Sequence, residues 1–229
     1  MKKYFVVRHP RFTRTKSPKV QESGSVYSGV AASIFLAIAS AAIGYTVSFV
    51  DEHRKTQIQN VNLQIEKLYG PLYAYSVASR QAWEDLHNTY RKGKVYYFND
   101  NDMPNAELVE VWRRWMKSVF MPINVKMESS IVENSQLLDG NRIYPSFVEL
   151  ISHVESYKAT VASWKDTDDL AQPQFRTAKA NTAVIVYPLD IDRCIEMRLQ
   201  ATLRRRAQLQ ESWLGFLSTT EEHFPGYCS

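Results

Sequence analysis

The sequence has few of the cysteine and glycine patterns that form zinc knuckles, disulfide frameworks and nucleotide-binding loops. It contains only two cysteines, Cys194 and Cys228, which match no zinc-binding spacing and form at most one disulfide. Its eight glycines form no phosphate loop or Rossmann pattern, and no serine stands in a nucleophile elbow. We therefore expect the protein not to be an enzyme and to use no cofactor.

Charged residues are missing altogether between Glu22 and Asp51. Residues 26–50 inside this interval are mainly Val, Ile, Leu and Phe set among alanines, glycines and small hydroxyls. A helix of this length measures roughly 37 Å at about 1.5 Å per residue, enough to cross about 30 Å of hydrocarbon. The sequence thus predicts a transmembrane helix. A cleaved signal peptide is the alternative, but its basic and apolar regions would both be shorter.

Positive charge is concentrated before the predicted span. Seven basic residues precede it, against the single acidic residue Glu22: Lys2, Lys3, Arg8, Arg11, Arg14, Lys16 and Lys19. In the twenty residues after it, three basic residues are matched by three acidic ones. Because basic flanks stay inside, we expect a single-pass protein of the bacterial inner membrane, or the mitochondrial inner membrane, with its N-terminus inside. The rest of the chain is slightly acidic, so no nucleic-acid partner is predicted.

Small residues recur at every fourth position within the predicted span. They form two faces, Gly29, Ser33, Ala37 and Ala41 on one and Ser40, Gly44 and Ser48 on the other. Small side chains let another helix backbone approach closely in lipid. The faces predict packing against other transmembrane subunits or self-association, with membrane lipid as the remaining neighbour. The alternative is that small residues are simply common in membrane helices.

The basic N-terminal tail has two interpretations. Its candidate contact residues are Lys2, Lys3, Arg8, Arg11 and Arg14. They act either as a topogenic signal attracted to acidic lipid or as a segment that docks on a partner protein.

Helical periodicity continues beyond the span. Apolar residues at spacings of three and four predict that the membrane helix runs on as far as Gly70. Glycine suits the position after a helix and proline suits the first turn of the next, so Gly70 and Pro71 predict an end and a new start. The second helix is then expected over residues 71–91.

Three further helices are predicted. One covers about 105–138 with a kink at Pro122, since proline removes a backbone donor. The next begins at Pro145, and the last begins at Pro188 after an irregular connection over 166–186.

These segments predict an all-α fold, with a single N-terminal transmembrane helix continuing into an antiparallel helical bundle of about four helices. Strand pairing is expected nowhere, except for a possible short pairing near 95–98. The predicted divisions are a basic tail, a transmembrane helix, a bundle domain and a polar, loose C-terminal tail, at 1–25, 26–50, 51–217 and 218–229.

Histidines on the predicted core helices are the candidates for a metal or haem ligand. Glu84 and His87 form one Glu-x-x-His motif, but a di-metal carboxylate site needs two. A haem would pair His87 or His153 with a methionine, which on a core helix usually fills space. We expect no metal site and a structural role for His153. The arginines at 204–206 predict either a lipid or acidic-partner contact or a solvated face.

Three short motifs are the most distinctive part of the bundle: Leu68-Tyr69-Gly70-Pro71-Leu72, Phe120-Met121-Pro122-Ile123-Asn124, and His153-Val154 followed by Tyr157. With them the chain resembles, over residues 50–215, a widespread group of uncharacterised bacterial proteins that have one N-terminal span and a helical domain. The resemblance implies the architecture above and brings no activity or catalytic residue.

Two classes of function fit this sequence. The first is an accessory, assembly or scaffold subunit of a membrane protein complex, acting through its span, basic tail and bundle. The second is a stand-alone membrane sensor or defence effector whose bundle binds a ligand or protein. The first predicts one large stoichiometric complex after mild detergent extraction, and the second predicts a monomer or small homo-oligomer.

Overall fold

The computed structural model describes residues 24–99, 102–211 and 224–228. Regular structure in these residues is entirely helical, and they contain no strand, so the all-α prediction is confirmed and the possible pairing near 95–98 is absent. The chain divides into two compact units, Met1–Phe49 and Val50–Ser229.

Helix α1 spans Gly24–Leu63 and contains the charge-free apolar run. Its large apolar side chains from Val30 to Phe49 are 46–73% exposed. Among the described residues, this is the one helix that is long and apolar enough to cross a membrane.

The helical backbone does not end at Gly70, so that prediction is wrong. A π turn, Gln64–Tyr69, leads directly into helix α2, Gly70–Tyr90. The Gly70 N–H donates to the carbonyl of Ile65, five residues back. Pro71 has no N–H and its ring crowds the carbonyl four residues before it, and the wider π turn accommodates both constraints without ending the helix.

Pro122 is accommodated in the same way. Helix α3, Ala106–Trp115, passes through a second π turn, Met116–Phe120, into helix α4, Met121–Glu133. The Met121 N–H donates to the Met116 carbonyl. The predicted kink position thus coincides with a change of helical hydrogen bonding.

The helix predicted to reach residue 138 ends at Glu133 instead. Asn134 leaves the helical conformation, with φ of −118°, and its side-chain nitrogen donates to the Ser130 carbonyl at 3.0 Å. Short 3₁₀ turns follow at Ser135–Leu137 and Asp139–Asn141. Gly140, with φ of 77°, supplies the left-handed residue between α4 and the next helix.

Three more helices complete the described chain. Helix α5 spans Pro145–Ser163, the short helix α6 spans Ala178–Asn181, and helix α7 spans Ile191–Glu211. Helix α7 begins three residues after Pro188, not at it.

Residues 224–228 do not form the loose tail that the sequence predicts. A 3₁₀ turn, Gly226–Cys228, brings Cys228 into a disulfide with Cys194 of α7, with 5.4 Å between their Cα atoms. Both cysteines are fully buried. In the chain-entropy model, closing this loop stabilises the fold by about 4 kcal/mol. Residues 212–223 lie outside the described part.

The core of the second unit is formed by the buried faces of the longer helices and the two π turns. Residues that the apolar spacing places inward are buried in α2, α3, α4, α5 and α7, among them Leu72, Val111, Met127, Ile131, Phe147, Leu150, Val154 and Ile195. The apolar spacing of residues 71–91 also places Trp83 and Tyr90 inward, but they are 38% and 37% exposed. The same spacing in the last predicted helix places Trp213 and Phe216 inward, and both lie outside the described residues.

Helix α7 meets the later part of α1 in the opposite direction. Arg54 of α1 donates to the carbonyls of Leu209 and Gln210 at 2.7 and 3.1 Å. Three residues further along α1, Gln57 accepts from Arg205 at 2.9 Å. Arg54 therefore supplies donors and a positive charge to the carbonyl end of α7.

Gly70 is required at the first π turn, since a Cβ atom there would collide with the Ile65 carbonyl oxygen. We expect Gly70→Ala to lower the free energy of unfolding by about 1–3 kcal/mol, although alanine normally favours a helix over glycine. Denaturant unfolding of the full chain in detergent, followed by tryptophan fluorescence, measures this. Gly44→Ala is the control, because nothing lies within 4 Å of its Cβ position. Equal stability of the two variants would contradict the role assigned to Gly70.

Candidate functional site

The small-residue faces of the predicted span lie on α1. A Cβ atom at Gly44 has nothing within 4 Å, and the apolar side chains around it are exposed. The Ser40 hydroxyl donates to the Leu36 carbonyl at 2.7 Å within the helix. Ser40 and Gly44 thus lie on an exposed part of α1, and the packing of both small-residue faces stays a prediction.

The candidate contact residues of the N-terminal tail lie outside the described residues, as does everything before Gly24. The structure therefore leaves both interpretations of this tail as predictions.

The two core histidines do not lie in a metal-binding group. Within residues 24–99, 102–211 and 224–228, no three His, Cys, Asp or Glu side chains are placed to hold a metal ion. His87 packs on Trp83, with 5.6 Å between ring centroids. His153 is buried, and its Nδ1 lies 2.7 Å from the Ile185 carbonyl oxygen, which is the contact of a structural histidine.

Asn181, at the end of α6, organises the long connection between α5 and α7. It is fully buried, and its side-chain nitrogen donates to the carbonyls of Phe175 and Thr177 at 2.7 and 2.9 Å. Its backbone carbonyl accepts from Trp112 of α3 at 2.8 Å, and its side-chain oxygen accepts from Arg113 at 2.9 Å. The Asn181 side chain therefore hydrogen-bonds both to the backbone of the connection and to Arg113 of helix α3.

Arg113 is the charged member of this arrangement. It donates to Asp168 at 2.7 Å, and its guanidinium lies 5.1 Å from the ring centroid of Trp164. Both charged side chains are largely buried, at 9% and 11% exposed. The adjacent guanidinium lowers the pKa of Asp168, so the carboxylate stays ionised against Arg113.

A cleft of about 480 Å³ opens beside Arg113, between α3 and the start of the connection. Its size is within the range of small-molecule sites. Four basic and three acidic residues line it together with Ser118, Trp164 and Leu170: Arg113, Arg114, Lys117, Lys165, Glu110, Asp166 and Asp168. Since opposite charges nearly balance there, the cleft fits a mixed-charge ligand better than a strongly ionic one.

The end of the same connection presents apolar side chains outward. Val184, Val186 and Leu189 are 90%, 76% and 92% exposed. We refer to residues 184–189 as the apolar loop. Its sequence signal is visible in the chain as an apolar run between polar segments, but such a run without periodicity predicts only an irregular connection.

Helix α5 holds the apolar loop in place. The Ser156 hydroxyl accepts from the N–H groups of Val184 and Ile185 at 3.0 and 3.3 Å, and His153 holds the Ile185 carbonyl. Tyr187 is anchored on the other side by a 3.4 Å hydrogen bond to Asp192 of α7. These hydrogen bonds hold the backbone of the apolar loop in the conformation that exposes its apolar side chains.

Arg198 of α7 holds the end of the described chain. Its guanidinium carbon lies 4.0 Å from the Tyr144 ring centroid and 3.7 Å from that of Phe224. It also donates to the Cys228 carbonyl and approaches Asp139 at 3.4 Å. Together with the disulfide, these contacts fix residues 224–228 against α5 and α7.

Burial lowers the pKa of His153, because the charged imidazolium is disfavoured away from water. As pH falls below about 6.5, His153 becomes protonated in the unfolded chain but stays neutral in the folded protein. The free energy of unfolding therefore decreases. We expect the free energy of unfolding to fall by up to about 1.4 kcal/mol per pH unit in this window.

Chemical unfolding between pH 7.5 and 5 measures this dependence. His153→Gln is expected to flatten it, since glutamine retains a donor for the Ile185 carbonyl and does not titrate. His53→Gln, at an exposed position, is the control and should keep the wild-type slope. An unchanged slope in the His153 variant would show that the buried imidazole does not set this dependence.

The chain was compared with known proteins in three ways. No family model, no curated protein and no solved structure matches it. The resemblance based on the motif at Leu68 to Leu72 therefore stays a prediction, and the contacts described above are the basis for a functional proposal.

Proposed function

We propose that the protein is a non-catalytic single-pass membrane protein that serves as an accessory, assembly or scaffold subunit of a membrane protein complex. The exposed apolar surface of α1 supports the membrane span, because lipid would cover side chains that water disfavours. Its partners are membrane lipid and other transmembrane subunits, or a second copy of the chain. Helix packing through Gly29, Ser33, Ala37 and Ala41, or through Ser40, Gly44 and Ser48, belongs to this proposal.

The disulfide supports a location of the second unit on the outer side of the membrane. Disulfides persist in oxidising compartments such as the bacterial periplasm and are rare where cellular thiols keep cysteines reduced. The bond between Cys194 and Cys228 agrees in this respect with the basic charge that precedes the span. We therefore propose that the bundle lies in the periplasm, or in the intermembrane space of a mitochondrion.

The apolar loop supports the proposal that the protein functions by binding another protein. Exposed apolar side chains that lie together on a soluble surface mark interaction sites, and here α5 holds their backbone with three hydrogen bonds. Fixing the loop in advance lowers the entropy cost of binding. We propose that Val184, Val186 and Leu189 insert into an apolar surface of another subunit of the complex.

Replacing these three side chains with serine is expected to release the partner. The triple variant Val184→Ser, Val186→Ser, Leu189→Ser removes apolar area while keeping the backbone contacts of the loop. We expect the full chain, extracted in mild detergent, to lose its co-purifying subunit at least tenfold, as measured by quantitative mass spectrometry of the eluate.

A matched variant changes three exposed apolar residues on other elements: Val95→Ser, Tyr96→Ser and Val132→Ser. It should retain the partner at the wild-type level. Loss of the partner from both variants would indicate general surface effects, and retention in both would remove the loop as the contact surface.

Introduced cysteines test the orientation, because the two natural cysteines are paired and offer no thiol for labelling. We expect Val95→Cys, at an exposed position, to react with an impermeant maleimide in intact spheroplasts or mitoplasts. Ser17→Cys, in the N-terminal tail, should react only after the membrane is permeabilised. The opposite pattern would reverse the proposed topology.

The cleft beside Arg113 favours a second candidate function, a stand-alone membrane sensor or defence effector that binds a small mixed-charge ligand. Its support is a cavity of about 480 Å³ with a buried arginine held in a fixed position. Native-mass sizing after mild extraction separates the two candidates. A monomer or small homo-oligomer would favour the sensor, and one large stoichiometric complex would favour the subunit.

A further inference from the structure

The disulfide between Cys194 and Cys228 is buried where residues 224–228 meet α7. We refer to residues 224–228 as the C-terminal segment. Both cysteines have an exposed fraction of 0%. Thiol–disulfide exchange requires a thiolate to reach one of the two sulfur atoms. The bond therefore cannot exchange with an external thiol while the C-terminal segment lies in this position.

Arg198 holds the C-terminal segment from the same face of α7 as Cys194, since the two residues are four positions apart on the helix. Its Nε donates to the Cys228 carbonyl at 3.1 Å, and its Nη2 donates to the same oxygen. The guanidinium carbon lies 3.7 Å from the ring centroid of Phe224 and 4.0 Å from that of Tyr144. One side chain thus contacts both ends of the segment, at Phe224 and at Cys228.

The C-terminal segment in turn supplies what the buried charge of Arg198 requires. The Arg198 side chain is only 7% exposed, and the carboxylate of Asp139 lies 3.4 Å from it on a side chain that is 57% exposed. A buried charge needs hydrogen-bond partners, and hydrogen bonds made by charged groups are the stronger ones. The Cys228 carbonyl accepts two of the Arg198 donors. Arg198 and the C-terminal segment therefore stabilise each other.

The C-terminal segment is small enough to open without the rest of the bundle. Cys228 is its fully buried member, whereas Phe224, Pro225 and Tyr227 are half-buried and Gly226 is exposed. Segments with little buried surface open at a lower free energy than the whole domain. Opening of this segment alone would bring the sulfur atoms into contact with solvent.

We infer that the C-terminal segment controls the access of thiols to the disulfide, and that Arg198 is the residue that keeps this segment closed. A thiol reaches the sulfur atoms only when the segment opens, and the bundle stays folded while it does so. The exchange partner in the cell is a protein of the thiol–disulfide oxidase class. Its own disulfide takes up two electrons and two protons from the two cysteine thiols, through a mixed disulfide.

The oxidase must act before the C-terminal segment closes over the new bond, because the closed segment excludes it. This order of events rests on the proposed location of the second unit in an oxidising compartment. Control of access by Arg198 does not rest on that location, since it follows from contacts within the second unit.

Reduction of the purified full chain by dithiothreitol in mild detergent tests the inference. The reagent attacks one sulfur atom, forms a mixed disulfide and leaves as a cyclic disulfide, so two electrons and two protons pass to Cys194 and Cys228. Alkylation at successive times, followed by intact mass spectrometry, gives the reduction rate. We expect the wild-type rate to change little in urea below the unfolding transition, because opening of a small segment exposes little surface.

Arg198→Gln is expected to raise the reduction rate at least about tenfold, since it removes hydrogen bonds made by a charged group. Phe224→Leu is a milder variant that keeps both hydrogen bonds and should raise the rate about threefold, because it removes only the aromatic ring beside the charge. It provides the test if Arg198→Gln does not fold. Arg193→Gln changes an exposed arginine of the same helix and should keep the wild-type rate.

Val109→Ala separates opening of the segment from unfolding of the bundle. Val109 is fully buried on α3, so its truncation lowers the stability of the whole domain and leaves the contacts of Arg198 in place. We expect this variant to be reduced at the wild-type rate. A rise in Val109→Ala as large as that in Arg198→Gln would show that thiols reach the disulfide through global unfolding, and would overturn the inference.

Two other results would also overturn the inference. One is a wild-type reduction rate that rises with urea in parallel with global unfolding. The other is an equal rate in the wild type, Arg198→Gln and Phe224→Leu. Failure of the proposed location is seen separately, because the reduction rate is measured on the purified chain and maleimide labelling reports the side of the membrane.

Discussion

The missing N–H groups of Pro71 and Pro122 constrain the helices on which the core depends. A proline inside an α-helix leaves one carbonyl without its donor and pushes that carbonyl away from the ring. Both prolines follow a π turn, in which the residue before the proline bonds five residues back. The wide turns also carry core residues, with Tyr69 fully buried in the first and Phe120 buried in the second. Packing therefore holds the turns in the form that the prolines require.

Element type was predictable from the sequence because a single periodic face is enough to define an amphipathic helix. In α5, the buried Phe147, Leu150 and Val154 follow one another at spacings of three and four. The continuation of the helix through a π turn at Gly70 was not predictable from this periodicity. Gly-Pro is compatible both with a helix boundary and with a π turn, and the choice depends on the burial of neighbouring residues by distant helices.

The candidate sites were less accessible to sequence reasoning, because their contacts join residues far apart and follow no period. Asn181 meets Arg113 across 68 residues, and Arg205 meets Gln57 across 148. Asparagine in a connecting segment indicates a turn and gives no sign that its side chain will hold a helix elsewhere. The cysteines limited the chain to one bridge, yet only the fold brings Cys228 to α7.

That bridge also determines how the protein responds to cleavage. Residues 195–227 lie between the two half-cystines, so a single cut by a protease anywhere in this interval leaves both fragments covalently joined. After a cut beyond the end of α7, the C-terminal piece would stay attached to that helix, where Arg198 also binds it through Phe224 and the Cys228 carbonyl. In an oxidising compartment, where such bonds persist, a nicked chain would gain only the one water added by hydrolysis and would keep all of its residues in one molecule.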